Sequence, residues 1–317
     1  MIFKETATPT SKARQNWHLW KSSFGKKSLI GIPWLWMAIF FLLPFLFILK
    51  ISLSEAALLQ PPYLPFIREV EDGLVTLVLN FSNYMLIFED PLYWKALLNS
   101  IEIAAIATLL TLMLGYPMAY AIAKAPAAWR LPLLMLIILP FWTSFLIRVY
   151  AWIGILKNNG LLNQALMGMG IIDQPLEILY TQAAVYIGLV YTYLPFMILP
   201  LYATLIRMDN TLLEAAADLG CPPWKQFLTV TLPLSMPGVI AGSMLVFIPV
   251  MGEFVIPDLL GGPNTLMIGK LMWTEFFNNK DWPVASALAA VLLLVLIIPF
   301  VLWQHFEQRQ QAMEEKS

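Results

Sequence analysis

Apolar residues gather into six long stretches of the 317-residue chain, at 31–53, 99–123, 131–155, 183–206, 236–257 and 284–303. Each has the length, about 20 mostly apolar residues, that crosses a bilayer as one helix. Polar positions collect between them. The pattern predicts an all-α membrane protein with six transmembrane helices. Pro44, Pro117, Pro140, Pro195, Pro200, Pro249 and Pro299 fall inside these stretches. Membrane helices tolerate proline because neighbours re-satisfy the freed backbone groups, so each reads as a packing kink. The first stretch follows a polar lead of 30 residues. It also exceeds the ~7–15 residues of a signal-peptide core, so it reads as a retained helix. The connection at 54–98 is too long for a bare loop. It is expected to carry structure of its own, with a strand-like apolar run at 74–81.

Composition agrees with this reading and narrows the function. Hydrophobic residues make up 59% and charged residues 12%, against about 25% charged in soluble domains. A net charge of -1 offers no basic excess for nucleic acid. The single cysteine, Cys221, excludes an intrachain disulfide and reads as a structural thiol. His18 and His305 lie outside the apolar stretches, so no buried histidine metal site is expected.

Lys and Arg set the orientation. Residues 1–30 hold six of the 19. Lys124 and Arg130 follow the second stretch, Arg207 and Lys225 the fourth, and Arg309 and Lys316 the sixth. The other side carries Lys50, Arg68, Lys95, Lys157, Lys270 and Lys280 over longer, more acidic loops. Both termini are therefore expected in the cytoplasm. The layout is a cytoplasmic segment 1–30, a transmembrane domain 31–304 containing a cytoplasmic loop 207–235, and a cytoplasmic tail 305–317. Gly25-Lys26-Lys27-Ser28 is only a fragment of a phosphate loop, lacking its first glycine and any preceding strand. No ATP site is expected in this chain. Gly238 and Gly242 form a G-x-x-x-G that suits close helix packing.

The loop holds the strongest signal, Glu214-Ala215-Ala216, three residues, Gly220, nine residues, then Val230-Thr231-Leu232-Pro233. The residues from 212 to 219 favour helix. Asp209, Asn210 or Thr211 can cap its start. Gly220 can take the left-handed conformation that ends it. Pro222 and Pro223 permit a second short helix from Trp224 to Val230, stopped by Pro233. The expected product is a helix-turn-helix knob with a thin alanine face, where an ordinary loop would carry no such order. The spacing resembles the cytoplasmic coupling-loop signature of ABC-importer permeases, with Val230 for the usual Ile. Asn83-Tyr84, Asp90-Pro91 and Ala96-Leu97-Leu98-Asn99-Ser100 also resemble the start of that family's core.

Charges at membrane depth are costly and point to pairing or function. Three fall in the stretches: Glu102, Arg148 and Glu253. At 1.5 Å per residue they lie about 5, 10 and 6 Å below the outer surface, close enough to meet. Arg148 is expected to pair with one acid, taken as Glu102, leaving Glu253 free. The passage from Met251 to Pro263 resembles the polyamine branch of the permeases. That resemblance implies that Glu253 and Asp258 receive ammonium groups. Tyr191, Tyr193 and Trp142 could add cation–π faces, although core or interfacial packing is the ordinary role of such rings.

The resemblance implies the type I ABC-importer permease fold in a bacterial inner membrane. It implies a second permease subunit, two cytoplasmic ATPases carrying ATP and Mg, and a periplasmic binding protein. The chain is then not itself an enzyme, needs no cofactor or metal of its own, and moves a small polyamine, putrescine first, by alternating access. The alternatives are a permease for spermidine, ferric iron or sulfate, or a stand-alone secondary transporter or channel. The last would show internal repeats with broken helices and would have no use for the knob.

Overall fold

The computed structural model describes residues 29–70, 74–262 and 265–314. The expectations placed on 1–28 and 315–317, the phosphate-loop fragment among them, lie outside the described residues.

Among the described residues, the regular elements are helices apart from one hairpin. Helix α1 (Leu29–Ser52) precedes strands β1 (Ile67–Val70) and β2 (Leu74–Leu77). These pair antiparallel, Ile67 opposite Leu77, so the 74–81 run supplies one strand. Helix α2 (Ser82–Glu89) leads into α3 (Pro91–Lys124), followed by α4 (Ala127–Trp142), α5 (Phe145–Leu156) and α6 (Leu161–Gly168). Next come α7 (Gln182–Leu205), α8 (Thr211–Asp218), α9 (Pro223–Met251) and α10 (Val255–Leu260). Helix α11 (Ile268–Trp273) runs on into a π-helical turn at Thr274–Asn278, and α12 (Trp282–Glu314) ends the described chain.

Among the described residues, α1, α3, α7 and α9 are each long and apolar enough to cross a membrane. The apolar part of α12, Trp282–Ile298, is shorter. The predicted span at 131–155 is not one helix. It breaks between α4 and α5 with a bend of 91°. Pro140 is the second residue of a 3-10 turn (Leu139–Trp142) and lacks the N–H that would continue the ladder, and Thr143 and Ser144 are extended. Helix α3 begins eight residues before the predicted span, at Pro91, because Asp90 caps it by accepting from the Leu92 N–H at 2.8 Å.

Helices α3, α7 and α9 pack together as the core. Gly238 and Gly242 lie where α9 crosses α7. A Cβ at 238 would stand 2.6 Å from the Thr204 hydroxyl, and one at 242 would stand 2.8 Å from the Met197 sulfur. Only glycine permits this approach. In a bilayer the gain is van der Waals packing, because lipid tails are as apolar as the side chains they would replace. Helix α1 buries only Ser52, at its end, and turns Trp34, Trp36 and Phe40 outward, as suits a surface facing lipid.

Polar side chains pin the remaining pieces. Buried Asn83 donates to the Ser52 and Ser54 carbonyls at 2.9 and 2.8 Å. Asn99 donates to the Leu266 carbonyl at 2.6 Å, and Ser100 accepts from the Ile268 N–H at 2.8 Å. The asparagines and serine of the 83–100 pattern thus hold irregular backbone that has no ladder partner of its own.

Candidate functional site

Two places stand out, at opposite ends of α9. The first is the knob formed by α8, the turn after it and the start of α9. Asp209 accepts from the Thr211 N–H at 2.9 Å, and that N–H holds the Asp209 carboxyl below the usual carboxylate range. Gly220 has φ +75°. Its N–H donates to the Ala217 carbonyl at 2.8 Å, and the Cys221 N–H donates to the Ala216 carbonyl at 3.0 Å. This pair of bonds is the Schellman closure, which requires a left-handed residue at that point. Gln226 adds a bond to the Cys221 carbonyl at 2.7 Å.

No residue of α8 is buried. Glu214 and Ala215 face solvent, Ala216 is half-buried, and Leu219 and Trp224 are 89% and 66% exposed. These two side chains give the turn an exposed apolar face. Val230 and Leu232 are half-buried and Pro233 is exposed. Pro233 does not stop the helix as expected. A π-helical segment at Phe227–Thr231 precedes it, and α9 continues to Met251. The wider π turn accommodates the proline ring, which would otherwise strike the preceding turn.

The knob is braced against the core. Phe227 meets Tyr116 and Tyr120 edge-on at 5.4 and 6.5 Å. The Tyr116 hydroxyl lies 2.7 Å from that of Ser235. Lys124 donates to Asn210 at 2.6 Å.

The second place is the break between α9 and α10. Glu253 Oε1 accepts from the N–H groups of Phe254, Val255 and Ile256 at 3.2, 3.0 and 3.5 Å. It satisfies donors that the start of α10 would leave orphaned. Oε2 accepts from the buried Tyr193 hydroxyl at 2.7 Å. Asp258 pairs with Lys270 at 3.0 Å. Glu253 and Asp258 are thus both engaged within the chain, where the sequence suggested a free Glu253 and two carboxylates that receive ammonium groups.

The expected Glu102–Arg148 pair does not form. Glu102 is exposed on α3. The Arg148 guanidinium lies over Phe141 at 4.4 Å and Phe145 at 5.9 Å, with Nε and Nη1 buried and without hydrogen-bond partners. The bend at 143–144 turns α5 away from the path of α4, and two ring faces take the place of the carboxylate. Of the three candidate aromatics, only Tyr193 meets Glu253. Tyr191 packs on Trp152 at 5.3 Å, and Trp142 is 78% exposed at the bend.

The sequence reading missed Glu275, a buried carboxylate. It accepts from Tyr93 at 3.3 Å and from Asn279 at 2.8 Å. It also missed the aromatic cluster around it, for which the run Trp273-Thr274-Glu275-Phe276-Phe277 was the available signal.

Residues 28–311 match the family described as the inner membrane component of binding-protein-dependent transport systems. The chain is 42% identical over 270 residues to the spermidine/putrescine transport system permease protein PotB of Escherichia coli K12, covering 85% of this chain and 93% of that one. It is 40% identical to PotB of Haemophilus influenzae, covering 87% and 92%. Among solved structures, a bacterial ABC transporter that imports alginate superposes with a TM-score of 0.67 at 14% identity, covering 93% of this chain and 99% of that chain. A bacterial alginate ABC transporter in complex with alginate pentasaccharide-bound periplasmic protein gives a TM-score of 0.69 at 15% identity, covering 92% of this chain and 97% of that chain. At these identities the likeness concerns the fold alone.

Proposed function

The chain belongs to the family of binding-protein-dependent transport system inner membrane components, and from that premise we propose that it is the permease subunit of an ATP-driven importer of small polyamines, spermidine or putrescine. The observation that carries this is the 42% identity to a spermidine/putrescine permease across 85% of the chain. Membership of this family sets aside the stand-alone transporter or channel. ATP hydrolysis belongs to separate subunits, and this chain provides the path.

The finer reading has six spans, counting the bent α4–α5 pair as one and α12 as another, with both termini and the loop 207–235 in the cytoplasm. Two ATPase subunits bind the knobs of this chain and of a second permease subunit. A periplasmic binding protein delivers substrate at the Glu253 end. The exposed Leu219 and Trp224 beside Glu214, Ala215 and Gly220 form the face offered to the ATPase. When ATP draws the ATPases together, the braced knob carries that motion into α9 and switches the side from which the path is open. Glu253, held by Tyr193 and the start of α10, supplies negative charge at the break in the path.

The test is ATPase activity of the reconstituted complex across a panel of ligand-loaded binding proteins. Stimulation by spermidine or putrescine, and none by sulfate or ferric iron, is expected. Stimulation by one of the latter alone overturns the substrate reading.

A further inference from the structure

Two turns at the knob end of the core enclose a basic cavity. One is the connection between α3 and α4, the other the stretch 206–210 between α7 and α8. The space measures about 250 Å³, and its charged lining residues are Lys124 and Arg130. Lys124 donates one N–H to Asn210 at 2.6 Å, and Arg130 donates its Nε–H to the Ala125 carbonyl at 2.8 Å. Those bonds hold both cations at the cavity and leave their other donors for a ligand. Among the described residues neither cation has a carboxylate partner. The acids of this end stand elsewhere. Asp209 lines a separate cavity together with Arg207, and Glu214 and Asp218 are exposed on α8.

The surroundings place the cavity at headgroup depth. Lys124 is the last residue of α3, which is long and apolar enough to cross a membrane, and Arg130 stands in the first turn of α4. Trp129 beside it is 63% exposed, as suits a ring at the membrane–water boundary. Leu131, Met135 and Leu139 are exposed and share one face of α4 by their spacing. That face leads from Arg130 towards the bilayer interior. Lys and Arg gather on the cytoplasmic side of membrane proteins in general. That tendency does not by itself set two unpaired cations around one cavity with an apolar face beside it. Basic pockets between membrane helices on that side suit the phosphate of an anionic lipid. Free phosphate would use the same cations but has no use for the apolar face.

We propose that the cavity holds the headgroup phosphate of an anionic phospholipid of the cytoplasmic leaflet, with an acyl chain along Leu131, Met135 and Leu139. Asn210, which Lys124 reaches, immediately precedes α8. The bound lipid therefore ties the α3–α4 turn to the root of the knob. The site rests on the cytoplasmic placement of the loop 207–235, and not on the identity of the substrate. Each cation near an anionic surface is worth about fivefold in binding, so the pair is worth about 25-fold.

The experiment places the complete importer in nanodiscs of mixed phosphatidylcholine and phosphatidylglycerol. Native mass spectrometry then counts the lipids that stay bound on release. Wild type should retain phosphatidylglycerol in preference. The Lys124→Gln/Arg130→Gln double variant should lower that preference about 10- to 25-fold, and Lys124→Arg/Arg130→Lys should keep at least about half of it. Lys225→Gln removes a cation from the same loop outside the cavity and should stay within about twofold of wild type. Equal retention of the two lipids by wild type overturns the site, as does a double Gln variant as selective as wild type. Equal losses in Lys225→Gln and the double Gln variant mark general surface attraction and overturn it too. Displacement of phosphatidylglycerol by inorganic phosphate at equal concentration marks a free-anion site in its place. Loss of the ATPase from the double Gln variant in pure phosphatidylcholine marks an ATPase contact. A periplasmic reporter after Lys225 overturns the placement and the lipid site together, whereas unselective wild-type binding overturns the lipid site alone.

Discussion

Gly220 offers the sharpest test of the knob, because the structure separates backbone strain from crowding. Its φ is +75°, and a Cβ placed there would meet nothing within 4 Å. A side chain at 220 therefore costs only what the left-handed conformation costs, about 1–2 kcal/mol for an ordinary residue and more for a β-branched one. That shifts the closed turn towards open by about 5- to 30-fold. The two Schellman bonds and the placement of Leu219 go with it. Asn tolerates this conformation, so the expected order of damage is Gly220→Asn, then Gly220→Ala, then Gly220→Val. The Val variant should reach the membrane at the normal level, because α8 buries nothing in the core. Both co-purification of the ATPase and polyamine uptake should fall at least about fivefold. Normal uptake and normal co-purification by Gly220→Val would sink the docking role. Equal damage from Asn and Val would refute the strain argument and point to side-chain bulk against the partner.

Glu253→Gln keeps an acceptor for the start of α10 but removes the charge, so uptake should fall while the melting temperature moves little; Glu253→Ala loses the cap and strands Tyr193, costing about 1–3 kcal/mol in a thermal melt. Equal melting of the two variants would show that Glu253 does not hold that turn. A reporter fused after Lys225 should be cytoplasmic and one placed in 68–73 periplasmic, and either reversed result overturns the six-span layout. Because the Thr211 N–H lowers the Asp209 carboxyl, the Asp209 contribution is full above the unfolded carboxylate value. It is lost only as pH falls through the lowered one. Hydrogen exchange of the 211–218 amides should then be insensitive to that carboxyl between about pH 6 and 8. Asp209→Ala should raise exchange throughout, and a wild-type increase on going from pH 8 to 6 that Asp209→Ala abolishes would contradict the assignment.

What the sequence carried was mostly local. The Gly220 turn, the capping by Asp209 and the close approach at Gly238 and Gly242 each depend on residues a few positions apart, and each was legible. The Asp90-Pro91 start of α3 was equally local, but the apolar stretch drew attention to position 99 instead. The bend at 143–144 was harder to see. Pro140 was one of several prolines, and nothing in its neighbourhood separates a kink from a break. Pairings between helices were not legible at all. Tyr193 meets Glu253 across 60 positions and Arg148 misses Glu102 because of how each helix is rotated and bent. Hydrophobic periodicity averages over exactly that information in a span apolar on all sides.

The unbroken run of α9 also has a mechanical consequence. From Pro223 to Met251 the helix has 29 residues, a rod of about 44 Å. A tilt of about 10° imposed at the knob, pivoting near that end, displaces the Glu253 end by roughly 7 Å, more than a full helical turn. Besides Pro237 and Pro249 inside it, the rod has a soft section near the knob, the π segment at Phe227–Thr231, and Phe227 is the residue clamped between Tyr116 and Tyr120. The fulcrum thus sits beside the knob, where the proposed ATPase contact would deliver its force. On the proposed docking of the ATPase at the knob, a stroke of small amplitude there would become a large one at the break, where a gap of a few ångströms would decide whether a hydrated amine can pass.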